Sequence, residues 1–148
     1  MNEKILIIED EEAIQKILSE PLIFAGYAVT VASDGLEGIN KFHEQDFNLI
    51  LLDIMLPKID GYTVCEMIRQ ESQIPIIILT ALDSEDAQIK GFDKLADDYI
   101  TKPFSIKLVL KRVEAILRRT HIEEQSDTIR YKEIALNEAE RKVTAVSY

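Results

Sequence analysis

Apolar residues occur in three uninterrupted runs, at residues 5–8, 49–52 and 76–79. Runs of this length between polar flanks are typical of parallel strands that are buried on both faces. Two further segments, residues 28–32 and 99–101, have the character of short strands. The pattern therefore predicts five strands along the first hundred residues.

Between these strands the apolar residues recur at helical spacing. The first predicted helix contains Pro21, and because proline lacks a backbone donor we expect a kink or an early break there. Further helices are predicted after Asp34-Gly35, after Asp60-Gly61, and from Ser84 to about Leu95. The predicted inward-facing residues are Ile14, Ile17, Leu18 and Leu22 in the first helix, Ile39 and Phe42 in the second, Val64, Met67 and Ile68 in the third, and Ile106, Val109, Leu110, Val113, Ile116 and Leu117 in the fifth. Strands that alternate with helices in this way predict an α/β fold, a parallel sheet with helices on both faces.

The character of the sequence changes at residue 120. Residues 120–127 are polar without periodicity, which predicts a linker. Residues 128–148 alternate apolar and polar side chains, as half-buried antiparallel strands do. Because this segment is too short to bury a core of its own, we expect it to be the opening of a second, truncated domain that follows a first domain over residues 1–119.

Composition excludes several classes of protein. A net charge of −10 argues against a general affinity of the chain for nucleic acid. The single cysteine, Cys65, cannot form an internal disulfide and fits a reducing compartment. The apolar run near the N-terminus is too short for a signal peptide or a membrane span. We expect a cytoplasmic protein without a membrane partner.

Chemically reactive residues follow the predicted strands. Glu9 and Asp10 follow the first, Asp53 the third and Thr80 the fourth, and Lys102 comes shortly after the fifth. Each has an ordinary interpretation when taken alone, either as a helix cap, a strand-end hydroxyl or a solvated charge. Because the carboxyl ends of parallel strands lie at one edge of a sheet, however, the five side chains are expected to converge.

The converging residues suit phosphoryl transfer. Three clustered carboxylates repel one another and favour a hard divalent cation, for which Mg²⁺ is the leading candidate. A lysine ammonium and a threonine hydroxyl are both able to bind phosphoryl oxygens. A carboxylate nucleophile beside a metal and a lysine indicates transfer through an aspartyl phosphate.

Five motifs, in order, resemble the receiver domain of two-component response regulators. They are Ile5-Leu6-Ile7-Ile8-Glu9-Asp10-Glu11, Leu51-Leu52-Asp53-Ile54-Met55-Leu56-Pro57, Asp60-Gly61, Ile78-Leu79-Thr80-Ala81 and Ala96-Asp97-Asp98-Tyr99-Ile100-Thr101-Lys102-Pro103-Phe104. The resemblance implies a flavodoxin-like doubly wound sheet with strand order 2-1-3-4-5. It also implies that Asp53 accepts a phosphoryl group from the phosphohistidine of a sensor histidine kinase.

The same resemblance implies a role for each neighbouring residue. Asp10, Asp53 and the backbone carbonyl of Met55 would bind Mg²⁺, with Glu9 acting through water. Lys102 would stabilise the phosphoryl group, and its peptide bond to Pro103 would be cis. Thr80 would move towards the phosphate and Tyr99 would turn inward, which would remodel the surface formed by the fourth helix, fifth strand and fifth helix.

The remainder of the chain resembles the OmpR/PhoB group of regulators. The resemblance rests on Leu117-Arg118-Arg119, the linker that follows, and the strand-like residues 128–148. It implies that residues 128–148 are the N-terminal strands of a truncated winged-helix DNA-binding domain. Promoter DNA would then be contacted only by a part outside these 148 residues, because residues 120–148 carry four basic and six acidic side chains. Members of this group form homodimers through the surface named above, for which Asp98 and Arg112 keep opposite charges. Leu108 is predicted to project from the same face, which would give the dimer either a more apolar centre with fewer ion pairs or a weaker association.

Two alternatives to a transcriptional regulator are considered. A stand-alone receiver would act by protein–protein interaction, which the strand-like segment after residue 128 argues against. A phosphatase of the haloacid dehalogenase type also uses an aspartate nucleophile with Mg²⁺, a threonine or serine, and a lysine. Such a phosphatase needs a general acid two residues after the nucleophile, and Met55 at that position cannot transfer a proton. We therefore expect no enzyme beyond the chain's own phosphotransfer and dephosphorylation.

Overall fold

The computed structural model describes residues 2–80 and 96–120. Its five strands are β1 (Lys4–Ile8), β2 (Ala28–Ala32), β3 (Leu49–Asp53), β4 (Ile76–Thr80) and β5 (Asp98–Thr101). Three helices are α1 (Glu12–Phe24), α2 (Gly35–Glu44) and α3 (Gly61–Arg69). Residues 106–120 are also helical and are called here the last described helix. The predicted helix over residues 84–95 and the strands predicted after residue 128 lie outside the described residues.

The strands form one parallel sheet in the order β2-β1-β3-β4-β5. This arrangement confirms the predicted α/β fold with strand order 2-1-3-4-5. The register pairs Ile8 with Leu52 and Asp53 with Leu79, so the carboxyl ends of β1, β3 and β4 are level with one another. The register thereby brings the residues that end these strands to one edge of the sheet.

Burial explains why three of the strands read as continuous apolar runs. Residues 5–8 of β1, and β3 and β4 along their whole length, are buried, because helices cover both faces of the sheet centre. The outer strands β2 and β5 are only partly buried, which matches their weaker apolar character. The main core cluster combines side chains of these strands with Ile39 of α2 and with Val64, Cys65 and Ile68 of α3. Burial raises the pKa of the Cys65 thiol to about 11, which fits a packing role.

Helix α1 differs from its prediction in two respects. It continues through Pro21 to Phe24, so the early break was wrong. The backbone N–H of Ala25 donates to the Pro21 carbonyl at 3.0 Å, so helical hydrogen bonding continues beyond the proline, and Leu22 of the same turn is buried. Ile17, predicted to face inward, is 49% exposed, because Leu18 and Leu22 alone supply the buried contacts of this helix.

The chain divides into two compact units, residues 1–113 and 114–148. Glu9, Asp10, Asp53, Thr80, Lys102 and the other predicted site residues all lie in the first unit. The predicted boundaries at residues 119 and 127 stay predictions. Among the described residues, none of the helices is long and apolar enough to cross a membrane.

Candidate functional site

Three carboxylates meet at the carboxyl edge of the sheet. Glu9 directly follows β1, Asp53 ends β3, and Asp10 follows Glu9. One oxygen from each lies within 4.8 Å of the others. Glu9 is completely buried and Asp53 is 2% exposed, whereas Asp10 is open to solvent. The predicted convergence of these three residues is therefore present, with one side of the cluster accessible.

Backbone contacts hold Glu9 in place. Its N–H donates to the Ala32 carbonyl at 3.0 Å, which extends the pairing of β1 with β2 by one residue. Its carbonyl accepts a 2.6 Å hydrogen bond from the side-chain amide of Gln15, one turn into α1. Its carboxylate accepts a 3.0 Å bond from the N–H of Glu11. Sequence reasoning missed Gln15, since a glutamine inside a helix gives no signal of a backbone contact.

Close packing against α3 positions Asp53. A Cβ atom on Gly61 would lie 2.3 Å from the Asp53 carbonyl oxygen and 2.6 Å from the Ile54 Cα, so only glycine fits this approach. Asp60 caps α3 by accepting a 2.9 Å hydrogen bond from the Thr63 N–H, as the Asp-Gly pattern predicts. The N–H of Met55 donates to Asp53 Oδ1 at 3.1 Å. These contacts leave Asp53 Oδ2 directed towards Lys102.

Lys102 supplies the positive charge of the site. Its Nζ lies 3.2 Å from Glu9 Oε1 and 3.4 Å from Asp53 Oδ2, and its side chain is 17% exposed. Its backbone N–H donates to the Thr80 carbonyl at 2.6 Å, which ties the residue after β5 to the end of β4. The peptide bond between Lys102 and Pro103 is cis, the isomer that the resemblance implies.

Burial and charge shift the acidities of these groups. Burial raises the pKa of Glu9 to about 7; the charge of Asp53 adds to this effect, while the Glu11 N–H and Lys102 oppose it. Burial alone would lower the pKa of Lys102, but the carboxylates of Asp53 and Glu9 outweigh burial and raise that pKa above its usual value. Lysine therefore stays charged, while the cluster retains an excess of negative charge.

Thr80 and Tyr99 lie on the neighbouring strands β4 and β5. Thr80 ends β4 and is 5% exposed. Tyr99, in β5, is half-buried and packs against the main core cluster. The side chain of Met55 is 63% exposed, so its thioether contributes nothing to the acidic cluster.

The described residues of the predicted dimer face lie on β5 and on the last described helix. Leu108 is 40% exposed on the last described helix. Asp98 and Arg112, predicted to carry opposite charges, pair within the chain itself at 2.6 Å. Because the two residues are fourteen positions apart, the sequence did not indicate this contact.

The donor set fits a divalent cation. Three carboxylate oxygens within 4.8 Å of one another are hard oxygen ligands, and the exposure of Asp10 provides a path from solvent. The Lys102 ammonium contacts Glu9 and Asp53, yet burial and the charge of Asp53 keep the pKa of Glu9 raised to about 7, so the repulsion between the carboxylates is only partly offset. An added cation would relieve the remaining repulsion, so the chemistry of the cluster agrees with the predicted Mg²⁺.

The fold is a doubly wound parallel α/β sheet whose carboxyl edge carries three carboxylates and a lysine. The chain matches the family described as response regulator receiver domain over residues 5–114. The chain therefore belongs to the response regulator receiver domain family.

Three proteins illustrate what the chain is similar to within this family. The "Probable transcriptional regulator ycf27" of Guillardia theta is 50% identical over 119 residues, which are 80% of this chain and 47% of that protein. The "Alkaline phosphatase synthesis transcriptional regulatory protein PhoP" of Bacillus subtilis is 46% identical over 135 residues, which are 90% of this chain and 56% of that protein. The structure of DrrB, described as a Thermotoga maritima OmpR/PhoB homologue, has a TM-score of 0.74 and 37% identity, covering 81% of this chain and 54% of that one. The chain thus spans about half the length of the regulators it matches.

Proposed function

We propose that this chain is the phosphorylation-controlled receiver part of an OmpR/PhoB-type transcriptional regulator, with Asp53 as phosphoacceptor. The observation that carries the proposal is the buried Asp53 carboxylate at the end of β3, with Glu9, Asp10 and Lys102 around it. The family membership and the names of the relatives support it.

In the proposed reaction, an Asp53 carboxylate oxygen attacks the phosphorus of a sensor kinase's phosphohistidine. The new bond is O–P, the bond that breaks is N–P, and the imidazole leaves with the electron pair. Lys102, whose Nζ already lies 3.4 Å from Asp53 Oδ2, stabilises the charge on the transferred phosphoryl oxygens. Because Asp53 is nearly buried, these interactions act with little screening by water.

Mg²⁺ would be held by Asp10, Asp53 and the Met55 carbonyl, with Glu9 acting through water. When bound, the cation supplies neutralisation of the charge that develops on the phosphoryl oxygens. The chain's own contribution is to hold Glu9 by its Glu11 and Gln15 hydrogen bonds, so that the carboxylates are in place before the cation arrives.

We assign the conformational response to phosphorylation to Thr80 and Tyr99. Thr80 ends β4, and Tyr99 lies in β5, the strand that leads to Lys102, so we infer that both respond to a charge added at Asp53. Their movement would change the face that carries Asp98, Leu108 and Arg112 and favour a homodimer. Contact with promoter DNA would belong to a part of such regulators that these 148 residues do not include.

The phosphatase alternative receives no support from the site. Met55 stands two residues after Asp53, and its exposed thioether cannot protonate a leaving group. The site therefore lacks the general acid that such a phosphatase requires. The stand-alone receiver would use the same chemistry and differ only in its output.

The proposal is tested by intact-mass spectrometry after treatment with acetyl phosphate. We expect the mass to rise by one phosphoryl group when Mg²⁺ is present and to remain unchanged when the cation is removed by chelation. The expected dependence follows from the three carboxylates, which without a cation repel the incoming phosphate. Absence of any mass increase in the presence of Mg²⁺ would contradict the proposal.

A second prediction concerns the homodimer. The Leu108→Glu substitution should weaken self-association of the beryllofluoride-treated protein by at least about tenfold, since it places a charge in an apolar contact. Sedimentation velocity measures the change. Leu36→Glu is the matched control, because Leu36 on α2 is similarly exposed, at 49% against 40% for Leu108. If Leu108→Glu, Leu36→Glu and the unmodified chain all self-associate equally, Leu108 is not part of the dimer face.

A further inference from the structure

An ion pair lies at the amino ends of β4 and β5, at the edge of the sheet remote from Asp53. Arg69, the last residue of α3, places its guanidinium 2.9 Å from Asp97 Oδ1, and Asp97 directly precedes β5. The Arg69 side chain is 13% exposed and the Asp97 side chain 28%, so the arginine is largely shielded from water and the aspartate is partly open to it. We call Arg69 and Asp97 the β4–β5 latch.

The latch is bonded to the backbone of three residues. The Arg69 guanidinium also donates to the carbonyls of Ser72 and Ile74, at 3.3 and 2.6 Å, in the connection between α3 and β4. Asp97 Oδ1 accepts from the N–H of Ile76, the first residue of β4, at 2.9 Å. The N–H of Asp97 donates to the Ile76 carbonyl at 2.9 Å. Ile76 is therefore bonded to Asp97 through both its N–H and its carbonyl.

These bonds determine which residues of β5 stand opposite β4. β5 is an edge strand of four residues with β4 as its only strand neighbour in the described sheet, so few ladder bonds hold its register. The latch fixes one end of the pairing at Ile76, and the Lys102 N–H bonded to the Thr80 carbonyl fixes the other. A shift of one residue would move every side chain of β5 to the opposite face.

The register matters because β5 leads directly into Lys102. Thr80 pairs with Thr101, and the next residue carries the ammonium that reaches Glu9 and Asp53. The Nζ distances of 3.2 and 3.4 Å leave little room for displacement before the contacts are lost. Arginine is suited to the latch because its planar group donates to a carboxylate and two carbonyls at once.

We propose that Arg69 is a positioning residue for phosphoryl transfer, acting through Asp97 on the register of β5 and hence on the location of the Lys102 ammonium. This inference rests on the proposed function of Asp53. It assigns to a residue at the far edge of the sheet a specific effect on the group that binds the phosphoryl oxygens. The carboxylates lie on or next to β1 and β3, so the latch has no bond to the strands that carry them.

The test compares Arg69→Gln with the unmodified chain in acetyl phosphate and Mg²⁺, following phosphoryl uptake by intact mass. We expect uptake to be about tenfold slower, since small displacements of a catalytic group have effects of this size or larger. Mg²⁺ affinity, measured by isothermal titration calorimetry, should not decrease. Amide hydrogen exchange at Lys102 should accelerate. Arg118→Gln is the matched control, because it removes an exposed Arg–Glu pair one turn apart on the last described helix.

A double-mutant cycle with Lys102→Ala separates positioning from general loss of structure. If Arg69 acts through Lys102, Arg69→Gln will slow uptake little further once Lys102 is alanine. An additive effect in the double variant, or uptake by Arg69→Gln at the unmodified rate, overturns the proposal. Should Arg69→Gln fail to fold, Asp97→Asn serves in the same cycle, since its amide oxygen still accepts from Ile76. Failure of the unmodified chain to take up phosphate would instead overturn the assignment of Asp53.

Discussion

Asp53→Asn should take up no phosphoryl group from acetyl phosphate under conditions in which the unmodified chain becomes fully phosphorylated. The asparagine side chain has almost the same shape, and its amide oxygen is able to accept the hydrogen bond that Met55 now donates to Asp53 Oδ1. It has no anionic oxygen to attack phosphorus, so the reaction loses its nucleophile while the site keeps its packing. Intact-mass spectrometry measures the effect, which is expected to be complete.

Asp60→Asn provides the matched control for this experiment. Asp60 is seven residues away, is exposed, and caps α3 through the Thr63 N–H. Asparagine is an equally good helix cap, so the control variant should fold normally and accept phosphate at the unmodified rate. Phosphorylation of Asp53→Asn to the same extent as Asp60→Asn would show that a different residue is the acceptor.

The sequence predicted the sheet well because its central strands are buried on both faces. An uninterrupted apolar run has few explanations other than such a strand, and parallel strands necessarily bring their carboxyl ends to one edge. The contact of Lys102 with Glu9 and Asp53 follows from that topology, although 93 residues separate Lys102 from Glu9. The edge strand β5 was predicted one residue short, since Asp98 is polar and gives no strand signal.

Contacts between polar side chains of different elements were not predictable in the same way. Arg69 and Asp97 are 28 residues apart, and each has the appearance of an ordinary surface charge in the sequence. The ion pair of Asp98 with Arg112 was assigned to a dimer contact, whereas the structure closes it within one chain. Ile17 belongs to the apolar stripe of its helix but is half exposed. Periodicity indicates which face of a helix is apolar, but it does not indicate how much of that face neighbouring elements cover.

The intrachain pair of Asp98 with Arg112 bears on the proposed dimer. Its 2.6 Å contact involves an arginine that is 47% exposed, so the pair is partly accessible to a second chain. A dimer that uses either residue would exchange one ion pair for another, with a small net gain. The exposed Leu108 would then provide more of the dimer's stability than the charges do, which is why the substitution at Leu108 is the more informative test.

Lys102→Ala should slow phosphoryl uptake by about a hundredfold, the usual effect of removing one charge-stabilising donor from a catalytic site. Such a decrease corresponds to about 2.7 kcal/mol of lost transition-state stabilisation. The physical reason is the position of Nζ, which lies 3.4 Å from the Asp53 oxygen and is shielded from water. Uptake is followed by intact mass over time at a fixed concentration of acetyl phosphate and Mg²⁺.

The same substitution should not weaken the affinity for Mg²⁺. Without the ammonium, Glu9, Asp10 and Asp53 lose their nearest positive charge, so a cation entering the cluster meets less repulsion and should bind at least as tightly. Isothermal titration calorimetry measures this affinity, and Lys16→Ala is the control because Lys16 is an exposed lysine paired with Glu12. Slower phosphorylation with undiminished Mg²⁺ binding would separate the role of Lys102 from that of the carboxylates. Loss of Mg²⁺ binding in Lys102→Ala would instead show that the lysine organises the whole cluster rather than stabilising the phosphoryl group.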